Sequence, residues 1–113
     1  AASHSLREYE GKCKNLHGHT WHVDVVVAGE KLNKTGMLVD FKEIKGALNT
    51  LLEELDHAHL NDLVYFQAVN PTSENIAKYF FDSLKTELKT VVLQRVTVWE
   101  SEKANATYYE KTT

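Results

Sequence analysis

The chain has 113 residues, 42% of them hydrophobic and 26% charged, with a formal net charge of -3 and one cysteine. That is one domain, residues 1–113, with a core of modest size. It offers no basic stripe for nucleic acid, no apolar run near the roughly 18 residues of a membrane helix, no internal disulfide and no signal-peptide pattern at Ala1-Ala2-Ser3-His4, so a cytoplasmic protein is expected.

The first segment, Ala1 to Ser5, reads as a short strand able to lie beside His17. His17-Gly18-His19 runs directly into Thr20–Ala28, where Trp21, Val23, Val25 and Val27 alternate with His22, Asp24 and Val26. Residues i and i+2 of a strand share a face, so His17 and His19 are expected on the inward Trp21/Val23/Val25 face. After a turn region from Gly29 to Gly36, Met37-Leu38-Val39 reads as a second short strand. Asp40 then caps a helix, with Glu43 completing a capping-box pattern. Its apolar stripe is Ile44, Ala47, Leu48, Leu51, Leu52 and Leu55, and it stops near Asp56. Asp56 to Asn70 is irregular. Pro71-Thr72-Ser73-Glu74 opens a second helix capped by Thr72 or Ser73, with Ile76, Ala77, Phe80, Phe81, Leu84 and Leu88 as its apolar positions. Val91–Glu100 is a strand with Val96, Val98 and Glu100 on one face, and a hairpin connection at Ser101–Asn105 returns it through Ala106–Tyr109. Strands flanking a run of helices predict α+β: one antiparallel four-stranded sheet with two helices packed on one face.

Four groups of residues point to chemistry. Two imidazoles side by side are most of an open zinc site, which takes three protein ligands and leaves a position for water or substrate; His4 is the third candidate, whereas His22 falls on the wrong face. Taken alone, a His-x-His pair is equally compatible with two incidental, hydrogen-bonded side chains. Cys13 is either a small buried hydrophobe or, between Lys12 and Lys14 and near a metal, a thiolate. Asp56-His57 offers a carboxylate that fixes a histidine tautomer, or simply a favourable histidine at a helix C-terminus. Glu100 either turns a carboxylate inward, where it needs a partner such as two adjacent N–H groups of an aminopyrimidine, or is solvated beyond the strand end.

Ala2-Ser3-His4-Ser5-Leu6, Cys13-Lys14-Asn15-Leu16-His17-Gly18-His19, Gly36–Phe41, Leu55-Asp56-His57, Leu60-Asn61, Asn70–Asn75 and Val98-Trp99-Glu100 together resemble the 6-pyruvoyl-tetrahydropterin synthase family. Within it, the short Cys-to-His spacing is closest to the bacterial branch that forms 6-carboxytetrahydropterin in the 7-deazaguanine (queuosine) pathway. The resemblance implies Zn2+ on His4, His17 and His19, Cys13 as general base with Asp56 and His57 in its proton relay, and Glu100 on the pterin aminopyrimidine with Thr72 and Ser73 nearby. It implies 7,8-dihydroneopterin triphosphate as substrate, converted to 6-carboxy-5,6,7,8-tetrahydropterin with loss of acetaldehyde and triphosphate.

The fold it implies is the tunnelling fold, whose sheets associate into a β-barrel in a homo-oligomer, a hexamer of two trimers, with active sites at subunit interfaces. Family members usually carry a strand before the Ala-x-x-His segment, so the resemblance implies that part of the first sheet edge is missing, trimmed or supplied differently here. The alternatives are the pyruvoyl-forming synthase, which eliminates triphosphate without cleaving the side chain, and a non-catalytic pterin- or metal-binding module, against which the Cys13, Asp56, His57 set argues. A further branch forming 6-hydroxymethyl-dihydropterin uses a glutamate near the cysteine position, where Glu10 stands.

Overall fold

The computed structural model describes residues 1–9, 11 and 15–111. Its elements are strands β1 (Ala2–His4), β2 (His17–His19) and β3 (His22–Ala28), helix α1 (Phe41–Leu55), a 3-10 turn at Leu60–Asp62, the one-turn helix α2 (Tyr65–Ala68), helix α3 (Ser73–Glu87), and strands β4 (Val92–Ser101) and β5 (Ala104–Tyr108). The architecture is α+β, as predicted, with every strand pair antiparallel. The strands form two sheets, β1-β2 and β3-β4-β5, in place of the single four-stranded sheet expected. The predicted continuous strand breaks at Thr20-Trp21: β2 pairs with β1 and β3 with β4. The indole N–H of Trp21 bridges the break by donating to the Ala2 carbonyl at 3.2 Å.

Met37-Leu38-Val39 is not a strand. Asn33 consumes the backbone groups that a ladder would need: its side-chain oxygen accepts from Met37 N–H at 3.0 Å and its own N–H donates to the Met37 carbonyl at 2.8 Å. Asp40 caps α1 by accepting from Lys42 N–H at 2.9 Å. Thr72 caps α3 by accepting from Asn75 N–H at 3.1 Å, each cap satisfying one of the free amides of a first turn. The irregular stretch after α1 contains two short helical turns, because Asp62 and Leu63 N–H return to the carbonyls of His59 and Leu60.

The core lies between α3 and β4. Ile76, Ala77, Phe80, Phe81 and Leu84 of α3 are buried against Val96 and Val98, both 0% exposed, with Leu60 and Phe66 closing one end. The predicted α1 stripe is covered less well: Leu55 is buried, while Ile44, Ala47, Leu48, Leu51 and Leu52 are only partly so. A cleft of about 580 Å³ lined by Trp21, Val23, Leu52, Ile76 and Phe80 separates α1 from β3. Among the described residues no helix is long and apolar enough to cross a membrane.

Phe80 is central to this core at 1% exposure. Phe80→Ala is predicted to lower the free energy of unfolding by about 3–5 kcal/mol, measured by urea denaturation; a loss below about 1 kcal/mol would show that α3 is not the core helix.

Candidate metal centre and active site

The antiparallel register of β1 and β2 sets His4 opposite His17, with Ala2 opposite His19. The rings of His4, His17 and His19 therefore gather, with centroids 4.5 to 5.1 Å apart. Trp21 packs edge-on against His4 and His19 at 4.9 and 5.2 Å, and so continues their face past the strand break. Its position two residues after His19 was the sequence signal for this. β4 delivers Glu100 to the same point, its Oε1 3.3 Å from Nε2 of both His4 and His19. One ligand atom from each of His4, His17, His19 and Glu100 lies within 4.8 Å of the others. Glu100 is far from the histidines in sequence; the β3–β4 pairing, His22 opposite Trp99, brings it beside them.

The tautomers follow from the hydrogen bonds. Nδ1 of His4 lies 2.7 Å from the Pro71 carbonyl, and Nδ1 of His17 lies 2.7 Å from the Asn15 carbonyl. A carbonyl only accepts, so in a neutral ring both Nδ1 atoms carry the proton and both Nε2 atoms present a lone pair. Backbone carbonyls holding the remote nitrogen are the usual second contact of metal-ligating histidines. Nε2 of His4 and of His19 are buried, and neither makes a hydrogen bond. Lone pairs gathered around a carboxylate call for a positive charge between them: a cation, or a proton on one ring. Burial, the largest influence on His4, pushes its pKa below the ordinary 6.5; the Pro71 hydrogen bond opposes this, and His17 adds to it. Three imidazoles suit a divalent transition metal and leave it a fourth position, with Glu100 at its edge.

The other predicted residues are less uniformly gathered. Asp56 ends α1, and its Oδ1 lies 3.1 Å from Nδ1 of His57. His57 has φ of 59°, a left-handed conformation uncommon for a side-chain-bearing residue, and is 82% exposed. The same oxygen accepts from the Ala1 ammonium at 2.8 Å, so His57 shares that carboxylate. His57 and His19 line one cleft with Ser3, Gly18, Thr20 and His59, of about 620 Å³, within the ~300–1,000 Å³ range of small-molecule sites. Thr72 is occupied in capping α3, with Ser73 as the first helical residue. Cys13 and Glu10, and the lysines flanking Cys13, lie outside the described residues. His22 points away from the cluster and binds Asp24 at 2.7 Å.

Fold and site define a small α+β protein with a three-histidine, one-carboxylate centre beside an open cleft. A family model described as 6-pyruvoyl tetrahydropterin synthase matches residues 1–111, and the chain belongs to that family. It is 39% identical to a 6-carboxy-5,6,7,8-tetrahydropterin synthase of Synechocystis sp., over 96% of this chain and 85% of that protein. It is 37% identical to a dihydroneopterin monophosphate aldolase of Pyrococcus furiosus, over 88% of this chain and 81% of that protein. The solved structure of Caenorhabditis elegans 6-pyruvoyl tetrahydropterin synthase superposes with a TM-score of 0.88 at 32% identity, covering 97% of this chain and 89% of that one.

The depressed pKa of His4 fixes a pH dependence. Below pH 6.5 the unfolded chain protonates this histidine while the folded chain resists, so the unfolded state binds more protons and stability rises with pH across that interval. The metal-free protein is therefore predicted to have a lower urea midpoint near pH 5 than near pH 7. A midpoint that rose on acidification would mean that a protonated His4–Glu100 pair holds the site together.

Proposed function

We propose that this chain is a zinc-dependent 6-carboxy-5,6,7,8-tetrahydropterin synthase, a lyase that converts 7,8-dihydroneopterin triphosphate and one water to 6-carboxytetrahydropterin with release of acetaldehyde and triphosphate, in 7-deazaguanine (queuosine) biosynthesis in the cytoplasm. The observation that carries the reading is the convergence of three histidines on one point, with His4 and His17 fixed by carbonyls in the Nε2-ligating tautomer. Identity to the Synechocystis relative over nearly the whole chain supports the carboxy-forming branch.

In this reading His4, His17 and His19 hold the zinc. Bound there, it supplies Lewis-acid charge that acidifies the hydroxyls of the substrate side chain and the adjacent C–H. Glu100 is the substrate carboxylate: two N–H groups of the aminopyrimidine match its two oxygens, and Thr72 and Ser73 border the ring. Asp56 fixes His57 so that Nε2 takes and returns a proton in the cleft. Cys13 is the general base, favoured as thiolate by its lysine neighbours. The active protein is a homo-oligomer, a hexamer of two trimers closing into a barrel, and the exposed Leu16, Phe41 and Val64 are available for such contacts.

The pyruvoyl-forming reaction is the second reading, favoured by the likeness to the Caenorhabditis elegans enzyme. One incubation separates the two. Zinc-loaded protein given dihydroneopterin triphosphate is predicted to release acetaldehyde and triphosphate together; triphosphate alone would assign the pyruvoyl outcome, and neither would leave a binding module. Cys13→Ala is predicted to slow acetaldehyde release by about 10²–10⁴-fold, and an unchanged rate would remove Cys13 from its role.

Glu100→Gln separates substrate binding from metal binding. The variant is predicted to retain one zinc per chain while KM rises about 10- to 100-fold, the loss of one or two charge-assisted hydrogen bonds. Equal loss of zinc and substrate would make Glu100 a metal ligand instead.

A further inference from the structure

The backbone from Ala2 to Arg7 is held along one edge throughout, and along both edges where it forms β1. One edge of β1 pairs with β2. On the other, Ser3 N–H donates to the Ala58 carbonyl at 3.0 Å. Two residues on, Ser5 N–H donates to Asn61 Oδ1 at 2.8 Å, and the Ser5 carbonyl accepts from Asn61 Nδ2 at 2.9 Å. Two residues further, Arg7 N–H donates to Asn70 Oδ1 and its carbonyl accepts from Asn70 Nδ2, both at 2.9 Å. A carboxamide sets an acceptor beside a donor, as a peptide edge does. Each asparagine thus stands in for one residue of a paired strand, and the two-residue spacing keeps both on one edge.

His4 sits inside this ladder, between Ser3 and Ser5. The second clamp also reaches it from the other direction. Asn70 precedes Pro71, whose carbonyl aims the His4 ring, and the Asn70 carbonyl is itself held by Asn75 Nδ2 at 2.9 Å and Thr72 N–H at 2.9 Å. The Asn61 pair is partly buried and the Asn70 pair exposed, so water replaces the second more readily than the first.

We propose that Asn61, with Asn70 in support, is a positioning residue for the metal: its carboxamide acts as a one-residue surrogate strand that fixes the backbone on the far side of His4 and so the direction of its Nε2. The inference rests on His4 being a zinc ligand, as proposed above.

The test compares wild type, Asn61→Asp and Asn70→Asp. Zinc affinity is read by competition with a chromophoric chelator, ligand geometry by the visible absorption of the Co2+-substituted protein, and folding by circular dichroism. Asn61→Asp still accepts from Ser5 N–H but turns an oxygen toward the Ser5 carbonyl. It is expected to lose about 10- to 100-fold in zinc affinity, the usual cost of removing a group that orients a ligand, and to alter the Co2+ spectrum. Asn70→Asp is expected to lose less than about tenfold. Wild-type affinity and an unchanged Co2+ spectrum in Asn61→Asp would overturn the proposal, even if that variant melted earlier, because a merely structural role lowers stability without moving the spectrum of the folded, loaded protein. Should Asn61→Asp fail to fold, Asn61→Ser, which keeps a single oxygen, is read by the same two criteria. A wild-type protein that bound no zinc would sink the metal reading, and this inference with it.

Discussion

One hydrogen bond decides what the site can be. The Pro71 carbonyl lies 2.7 Å from Nδ1 of a histidine that is 1% exposed. The opposite tautomer would face two lone pairs at that distance and leave buried groups unpaired, at a cost of about 1–3 kcal/mol. His4 is therefore committed to presenting a bare Nε2 toward His19 and Glu100. Each neighbour then becomes intelligible. The Asn15 carbonyl repeats the device on His17, Trp21 covers the rings, and burial keeps the proton off His4.

The fold exists to bring that carbonyl and that ring together. Pro71 immediately precedes the Thr72 cap of α3, the helix whose phenylalanines form the core with β4. β4 in turn carries Glu100 at its far end, and β1 carries His4. The same packing that buries Phe80 and Val98 thus anchors the carbonyl that aims a ligand and the strand that brings the carboxylate. Core stability and site geometry share these elements, so neither is independent of the other. The loop after α1 completes the arrangement by bringing His57 to the cleft that His19 lines.

The short-range features were legible in the sequence. Asp40 and Thr72 cap the helices as their positions indicate, Val96 and Val98 are buried together, and Ala2–His4 pairs with His17–His19. What could not be read was set by long-range pairing. Alternation says which face Glu100 shares, but only the register of β3 on β4 says that this face ends at the histidines. The break at Thr20-Trp21 splits one expected sheet into two without interrupting the alternation that suggested a single strand. Met37–Val39 has strand composition, yet Asn33 takes both backbone groups of Met37 with its side-chain oxygen and its own N–H, a competition between local and sheet partners that composition does not reveal. Asn61 and Asn70 belong to recognisable motif pieces, but their use as substitute strand edges depends on Ser5 and Arg7, more than fifty positions away.

The relatives are named for different pterin reactions; prior to any such choice here is a cluster of three imidazoles able to hold one cation beside an open cleft. X-ray absorption at the zinc edge of the loaded protein measures this directly. The account predicts three imidazole nitrogens at about 2.0–2.1 Å, completed by a light atom and with no sulfur near about 2.3 Å. A sulfur scatterer would make Cys13 a ligand and not a base, and a shell of water oxygens alone would contradict the metal centre altogether.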